Sequence, residues 1–219
     1  MVQNSDASVK AELAQSPARP VRQGRSRATR DRLLEAAVDI FAAKGFERAA
    51  LSEIASQAGC SVGSVYFRFH DKDALFQAAL TRFLAEAGQR WLAISRAQEE
   101  RAAPPRERIA EAVRFLSDAL AARPGLVRGL VERVGGKSPG DEPLLAGVRA
   151  VFIADLARFA KTAAPERSDA DCDFAAAVAF QIVTGFTVNA LLNPLAPAPL
   201  PSEKAAAALE EAVTRYLVP

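Results

Sequence analysis

The stretch L51-SEIASQAGCSVGSVYFRF-69 carries two short helical stripes with a tight turn between them. Leu51, Ile54, Ala55 and Ala58 give the first stripe an apolar seam, and Ala55 is small where two helices must approach closely. Gly59 follows, a residue free to take positive φ and end a helix. Ser61 then offers a hydroxyl to cap the next helix. In that helix Val62, Val65, Tyr66 and Phe69 stand at i, i+3, i+4 and i+7 and form the face expected to point inward. Gly63, Ser64, Phe67 and Arg68 fall on the opposite, exposed side. Two short helices crossing steeply around such a turn make a helix-turn-helix, whose second helix is free to enter a DNA major groove.

Working outward, a preceding helix is predicted over Thr29 to Lys44, with Leu33, Leu34, Ala37, Ile40 and Phe41 on one stripe and Gly45 as its stop. A fourth helix starts near Asp71 and carries Leu75, Phe76, Leu80, Phe83, Ala87 and Trp91. Further helices are expected after Pro104–Pro105 and Pro124–Gly125, then over about Pro143 to Ala163, Asp169 to Asn193 and Ser202 to Leu217. The longest break after the N-terminal tail is at Gly135, Gly136, Pro139 and Gly140. No stretch alternates as a strand does, so the fold class is all-α, with about nine helices: an N-terminal three-helix helix-turn-helix headpiece and a larger C-terminal helical bundle. The expected division is a disordered basic tail (1–24), a DNA-binding domain (25–73) and a larger helical body (74–219), to which the family resemblance described below assigns effector binding and dimerisation.

The chain has 219 residues, half of them hydrophobic, enough to bury a sizeable core. Its net charge is only +2, so an argument for nucleic acid rests on where charge sits rather than on its total. Arg19, Arg22, Arg25, Arg27 and Arg30 form a basic run into the first helix, readable as a solvated leader or as an arm on DNA phosphates. Two distant cysteines and a single histidine exclude a Cys/His zinc cluster and argue against a disulfide framework, so no metal or cofactor is expected and a reducing cytoplasm is the natural compartment. His70 reads as a solvated turn residue, with a phosphate contact as the alternative. Cys60 reads as a small apolar turn residue, with a redox-sensing thiol as the alternative. No apolar leader opens the chain. Phe174 to Leu192 is membrane-like, but Gln181, Thr184, Thr187 and Asn189 interrupt it, and a helix buried on nearly all sides is the expected form.

The stretch TRDRLLEAAVDIFAAKGFERAALSEIASQAGCSVGSVYFRFHDKDALF, residues 29–76, resembles the headpiece of the tetracycline-repressor (TetR) family. The matching positions are Ala37 and Phe41, Gly45–Phe46, Ile54–Ala55, Ala58–Gly59, Ser61, Gly63, Tyr66, Phe69, Lys72 and Leu75. The resemblance implies a homodimer, an effector pocket in the C-terminal body, and release from a pseudo-palindromic operator when a small molecule binds. By position, Tyr66 and Lys72 would contact phosphates, while Ser61, Gly63, Ser64 and Phe67 would lie in or near the groove. Arg68 is placed to meet a guanine or a phosphate. Ala49 and Ala50 stand where the family commonly caps the second helix with Thr or Ser, leaving Arg48 or Ser52 as substitute contacts. Phe67 and Arg68 also depart from the family's usual residues, so its base preferences do not transfer.

In the body, the last two helices suit pairing with their twins, as the family's do. Asp169 to Asn193 is apolar around most of its girth, and Ala205, Leu209, Val213 and Leu217 repeat at heptad-like spacing. Candidate pocket linings are Phe83, Trp91, Phe115, Phe152, Phe159, Phe180, Gln181, Thr184, Phe186 and Asn189, and the excess of Phe over Tyr points to an apolar effector. No catalytic constellation stands out, so an enzyme is not expected. The alternative reading is a helical small-molecule binding protein or enzyme with a vestigial headpiece, which would need neither the basic arm nor the exposed Phe67/Arg68 face.

Overall fold

The structure, a computed structural model, describes residues 18–134, 142–198, 200 and 202–218. Among these residues there are nine helices: α1 (Ala18–Arg48), α2 (Leu51–Gln57), α3 (Val62–Arg68), α4 (Lys72–Glu100), α5 (Pro105–Ala121), α6 (Pro124–Val134), α7 (Glu142–Ala163), α8 (Asp169–Leu192) and α9 (Glu203–Leu217). The expected elements are all present, with ends within a residue or two of the predicted ones except in α1, which runs past the expected stop at Lys44 to Arg48. That helix begins at Ala18 rather than Thr29, so residues 18–24 of the expected tail are helical. The rest of the tail and the break at Gly135–Gly140 lie outside the described residues. At its other end α1 is broken at Gly45, which has φ 75°.

Side-chain chemistry fixes the helix starts. Ser61, Asp71, Ser168 and Ser202 each accept a backbone N–H in the first turn of α3, α4, α8 and α9. At α2 the cap residue is Ala50, which has no acceptor, so only the return half of a capping box remains: Ala50 N donates to Glu53 Oε2 at 3.4 Å. Glu53 also takes Lys44 Nζ at 2.5 Å, which ties α2 back to the end of α1. That hydrogen bond, more than any other contact, holds the Glu53 carboxyl below the usual range.

The side chains form two apolar cores that change over within α4, between Leu84 and Trp91. The headpiece core gathers Leu33, Phe41, Ile54 and Val65 with Leu75, Phe76, Leu80 and Phe83 from α4 and Leu126 from α6. It therefore extends past residue 73. α6 lies along α1 in close contact, and Gly125 makes this possible: a Cβ there would sit 2.2 Å from Phe41 O. The body core joins α4, α5, α7, α8 and α9 around Trp91, Ile109, Phe152, Phe159, Val183, Val213 and Leu217.

α8 departs from expectation. It is the one helix among the described residues long and apolar enough to cross a membrane. It is not enclosed on nearly all sides, however. Cys172, Ala175, Ala176, Ala179, Val183, Thr187 and Ala190 form a single buried stripe. The opposite face lies open, with Phe174 at 71% and Ile182 at 41% exposure. Small residues on the inner stripe let α8 approach α7 and α9, Phe180 and Phe186 pack against the body core from its flanks, and Phe174 and Ile182 point away from the subunit.

Candidate DNA-reading and effector sites

α2 and α3 are held at a fixed angle by local contacts. Gly59 takes φ 65° directly after the α2 cap, and Cys60 N bonds Ala55 O at 2.9 Å, closing the turn. From α1, Arg32 Nε donates to Ala58 O at 3.2 Å, and Gln57 Nε2 donates to Asp39 at 3.4 Å. Arg32 was absent from the expected site; a lone exposed arginine on a basic helix gives no sign that it clamps the next turn.

α3 buries only Val65 and the Phe69 that follows it. The inward face predicted for four residues thus shrinks to two. Val62 is 37% and Tyr66 56% exposed, because a seven-residue helix turns only part of its circumference to its neighbours. Tyr66 consequently faces outward, beside Phe67 at 83% exposure. Gly63 is exposed at the N-terminal end, next to Ser61 and Ser64. Those two hydroxyls lie 3.2 Å apart, and Ser61 Oγ accepts Ser64 N at 3.2 Å.

Arg68, expected on the exposed side, is half-buried instead. Its Nη1 donates to Ser64 O at 3.0 Å, and its guanidinium lies 5.7 Å from the Phe67 ring.

Around this face, Arg27, Arg30, Arg48, Ser52 and His70 are exposed. Arg48 Nε donates to Lys44 O at 3.1 Å, so it does not cap α2. His70 Nδ1 lies 3.0 Å from Asp71 Oδ2. Lys72, at the start of α4, donates to Glu47 O at 3.1 Å and lies 4.7 Å from the Phe46 ring. On the other side of Phe46, Arg133 from α6 sits 5.0 Å from the ring and pairs with Asp73. The Asp71 carboxyl is held below its usual range, chiefly by the Ala74 N–H it caps and then by His70. Ser61, Gly63, Tyr66 and Phe67 are thus exposed along or beside α3 with Ser64 partly covered among them, and Lys72 stands at the N-terminus of α4. This chemistry suits a phosphate backbone and base edges.

In the body, Trp91, Phe115 and Phe152 come together, with ring centroids 5.1 to 5.9 Å apart. Phe159 lies two turns beyond Phe152 on α7 and is buried. Phe83 belongs to the headpiece core and does not join them. Gln181 and Asn189 are exposed on the open face of α8, opposite its buried stripe, and Thr184 Oγ1 donates to Phe180 O at 2.8 Å. These three do not converge with the aromatic trio.

Polar groups that sequence reasoning missed do converge there. Asp155 Oδ2 accepts Trp91 Nε1 at 2.7 Å and Ser95 Oγ at 3.5 Å, while Oδ1 takes Arg158 at 2.6 Å. Gln98 is 2% exposed, and both of its amide atoms are buried without a hydrogen-bond partner. Ser95 and Gln98 at four and seven residues beyond Trp91 were the available signal: polar side chains on an apolar stripe. Among the described residues no group of three His, Cys, Asp or Glu side chains is placed to hold a metal.

The steeply crossed α2–α3 pair with an outward-facing second helix defines a helix-turn-helix protein. Residues 33–79 match the family described as bacterial regulatory proteins, tetR family, and residues 104–217 match the tetracyclin repressor-like C-terminal domain. The chain belongs to the TetR family. It is 42% identical over 52 residues to the HTH-type transcriptional regulator SrpR of Pseudomonas putida, covering 24% of each chain. It is 41% identical over 54 residues to the HTH-type transcriptional repressor BepR of Brucella suis biovar 1, covering 25% of this chain and 26% of that protein. The match thus spans about a quarter of these curated relatives, the headpiece length. A solved transcriptional regulator from Rhodococcus sp. Rha1 aligns over 85% of this chain and 92% of its own, with TM-score 0.65 and 24% identity. FadR from Bacillus subtilis, solved in complex with stearoyl-CoA, aligns over 85% and 96%, with TM-score 0.56 and 19% identity. At these identities the solved structures establish the fold.

Proposed function

We propose that this chain is a homodimeric repressor that holds a pseudo-palindromic operator through α3 and is released by a small, apolar effector bound in the body. The observation that carries the reading is the outer surface of α3. Phe67 is 83% exposed beside Tyr66, on a helix whose other side is fixed by Val65 and Phe69. A bare phenylalanine is costly in water but packs well on a thymine methyl or a sugar. Ser61, Gly63 and Ser64 approach the groove, Tyr66 and Lys72 take phosphates, and Arg48, Ser52, Arg27, Arg30 and His70 ring the surface within reach of the backbone. Arg68 swings out from Ser64 O to meet DNA. A vestigial headpiece on an enzyme or carrier has no use for this face.

The open face of α8, with Phe174 and Ile182, supports pairing through the last two helices. Two headpieces then meet two half-sites. The Trp91, Phe115 and Phe152 cluster supports an apolar effector, with no catalytic role and no cofactor. FadR of Bacillus subtilis, solved in complex with stearoyl-CoA, is an instance of a ligand with a long apolar chain held by a protein of this fold. The protein works on DNA in the cytoplasm and is not a membrane protein.

Selection from a library of random DNA duplexes by the full-length chain tests this. Enrichment of a two-fold symmetric sequence is expected. Recovery of a sequence without symmetry, or of none, contradicts it.

A further inference from the structure

Gln98 stands at the end of a seam that runs from the aromatic trio to the α4–α5 turn. Its side chain is 2% exposed, and neither Nε2 nor Oε1 has a partner. A buried primary amide left this way costs far more than one that is paired. The backbone beside it closes α4 with a common helix C-cap. Ala102 takes φ 50°, a left-handed conformation that disfavours a side chain. The turn is held by Ala102 N to Glu99 O at 3.0 Å and Ala103 N to Gln98 O at 2.9 Å. Arg108 clasps it from α5, with Nε on Ala103 O at 2.8 Å and Nη2 on Gln98 O at 3.4 Å. The Arg108 guanidinium lies 5.6 Å from the Phe159 ring and makes no ion pair among the described residues. The backbone of this C-cap is thus paired, while the Gln98 side chain beside it is left buried without a partner, the state of a group that awaits a ligand.

We infer that the Gln98 amide holds the polar end of the effector, and that this end presents a hydrogen-bond donor and acceptor side by side, as a primary carboxamide or a lactam edge does. Such a group satisfies Gln98 Nε2–H and Oε1 at once. Seven residues of helix separate Gln98 from Trp91, about 10 Å along α4. The effector is accordingly an elongated apolar molecule whose far end reaches the aromatic trio. This inference rests on the proposed effector response and names the chemical class of the effector.

The chain contains one tryptophan, Trp91, which reports on the seam directly. Biphenyl-4-carboxamide has about the required length, and its N,N-dimethyl amide has the same body without the donor. Trp91 emission and titration calorimetry on the full-length protein would compare the two. The primary amide should bind at least about tenfold more tightly, the usual worth of a buried hydrogen-bonded pair. Gln98→Met, similar in length and apolar, should remove that preference while raising the thermal midpoint, since no polar atom is left orphaned. Equal binding of the two amides, no response to either, or a preference unchanged in Gln98→Met would overturn the inference. Release from the selected DNA is measured alongside with a panel of apolar compounds. Release whose potency Gln98→Met leaves unchanged sinks the Gln98 assignment alone. Release by no compound sinks the effector reading as well.

Discussion

Phe67 on α3 and Phe174 on α8 are exposed to a similar degree, 83% and 71%, yet they lie on surfaces of opposite chemistry. Phe67 is surrounded by Ser64, Tyr66, Arg68 and the exposed Gly63, on a helix of only seven residues. Its ring is a single apolar contact in a polar, partly cationic setting. Phe174 shares a long face with Ile182 and Gly185 on a helix of 24 residues. One isolated ring is what a groove with scattered methyl groups accepts, whereas several apolar side chains along one long face, interspersed with Gln181 and Asn189, ask for another protein surface. Exposure alone does not distinguish the two; the company each ring keeps does.

Breaking the α8 face should have the largest effect. Phe174→Glu combined with Ile182→Glu puts four charges into a paired interface, two from each subunit. It should turn the dimer into a monomer in sedimentation, while helical circular dichroism stays unchanged. Operator affinity should fall by roughly a hundredfold or more, because two linked half-sites become one. A dimer that survives this pair would remove α8 from the interface. Next comes Lys72→Ala, which should weaken binding to every sequence about tenfold and reduce the salt slope by about 1. Phe67→Ala should leave thermal stability within about 0.5 kcal/mol of the parent, as exposed substitutions do. It should still relax base preference at a single position in each half-site. An equal loss on all sequences would make Phe67 a backbone contact.

The smallest effects concern caps. Asp71→Ala should lower the denaturant midpoint, as the loss of an N-cap does. The Asp71 carboxyl is depressed below its ordinary 3.8 in the folded chain. Its contribution is therefore complete above pH 3.8 and disappears as pH falls through the lower folded value. The variant and the parent should converge in stability at the acid end and differ at neutral pH. Ala102→Gly should stabilise the chain by up to about 1 kcal/mol, since glycine takes the left-handed turn without strain.

Much of the headpiece was legible because its cues are local. Gly59, Ser61 and Asp71 each act on backbone within a few residues, so the turn and the caps can be read directly. Tyr66 was not, since the spacing of Val62, Val65, Tyr66 and Phe69 defines a face but not how much of it a neighbour covers. On α8 the difficulty was greater. A helix apolar all round carries no mark of which side meets the core, and Gln181 and Asn189 were placed inward although they face out. The aromatic trio emerged because large rings on three helices are drawn to one core. Gln98 did not, because an unpaired amide exists only once every neighbour has a position.

The central claim is that α3 reads DNA as part of a symmetric dimer, and affinity for the selected duplex across a series of salt concentrations tests it most directly. The account predicts a logarithm of affinity that falls linearly with the logarithm of salt, with a slope that halves when one half-site is scrambled. Affinity independent of salt, or a slope indifferent to the loss of a half-site, would contradict it.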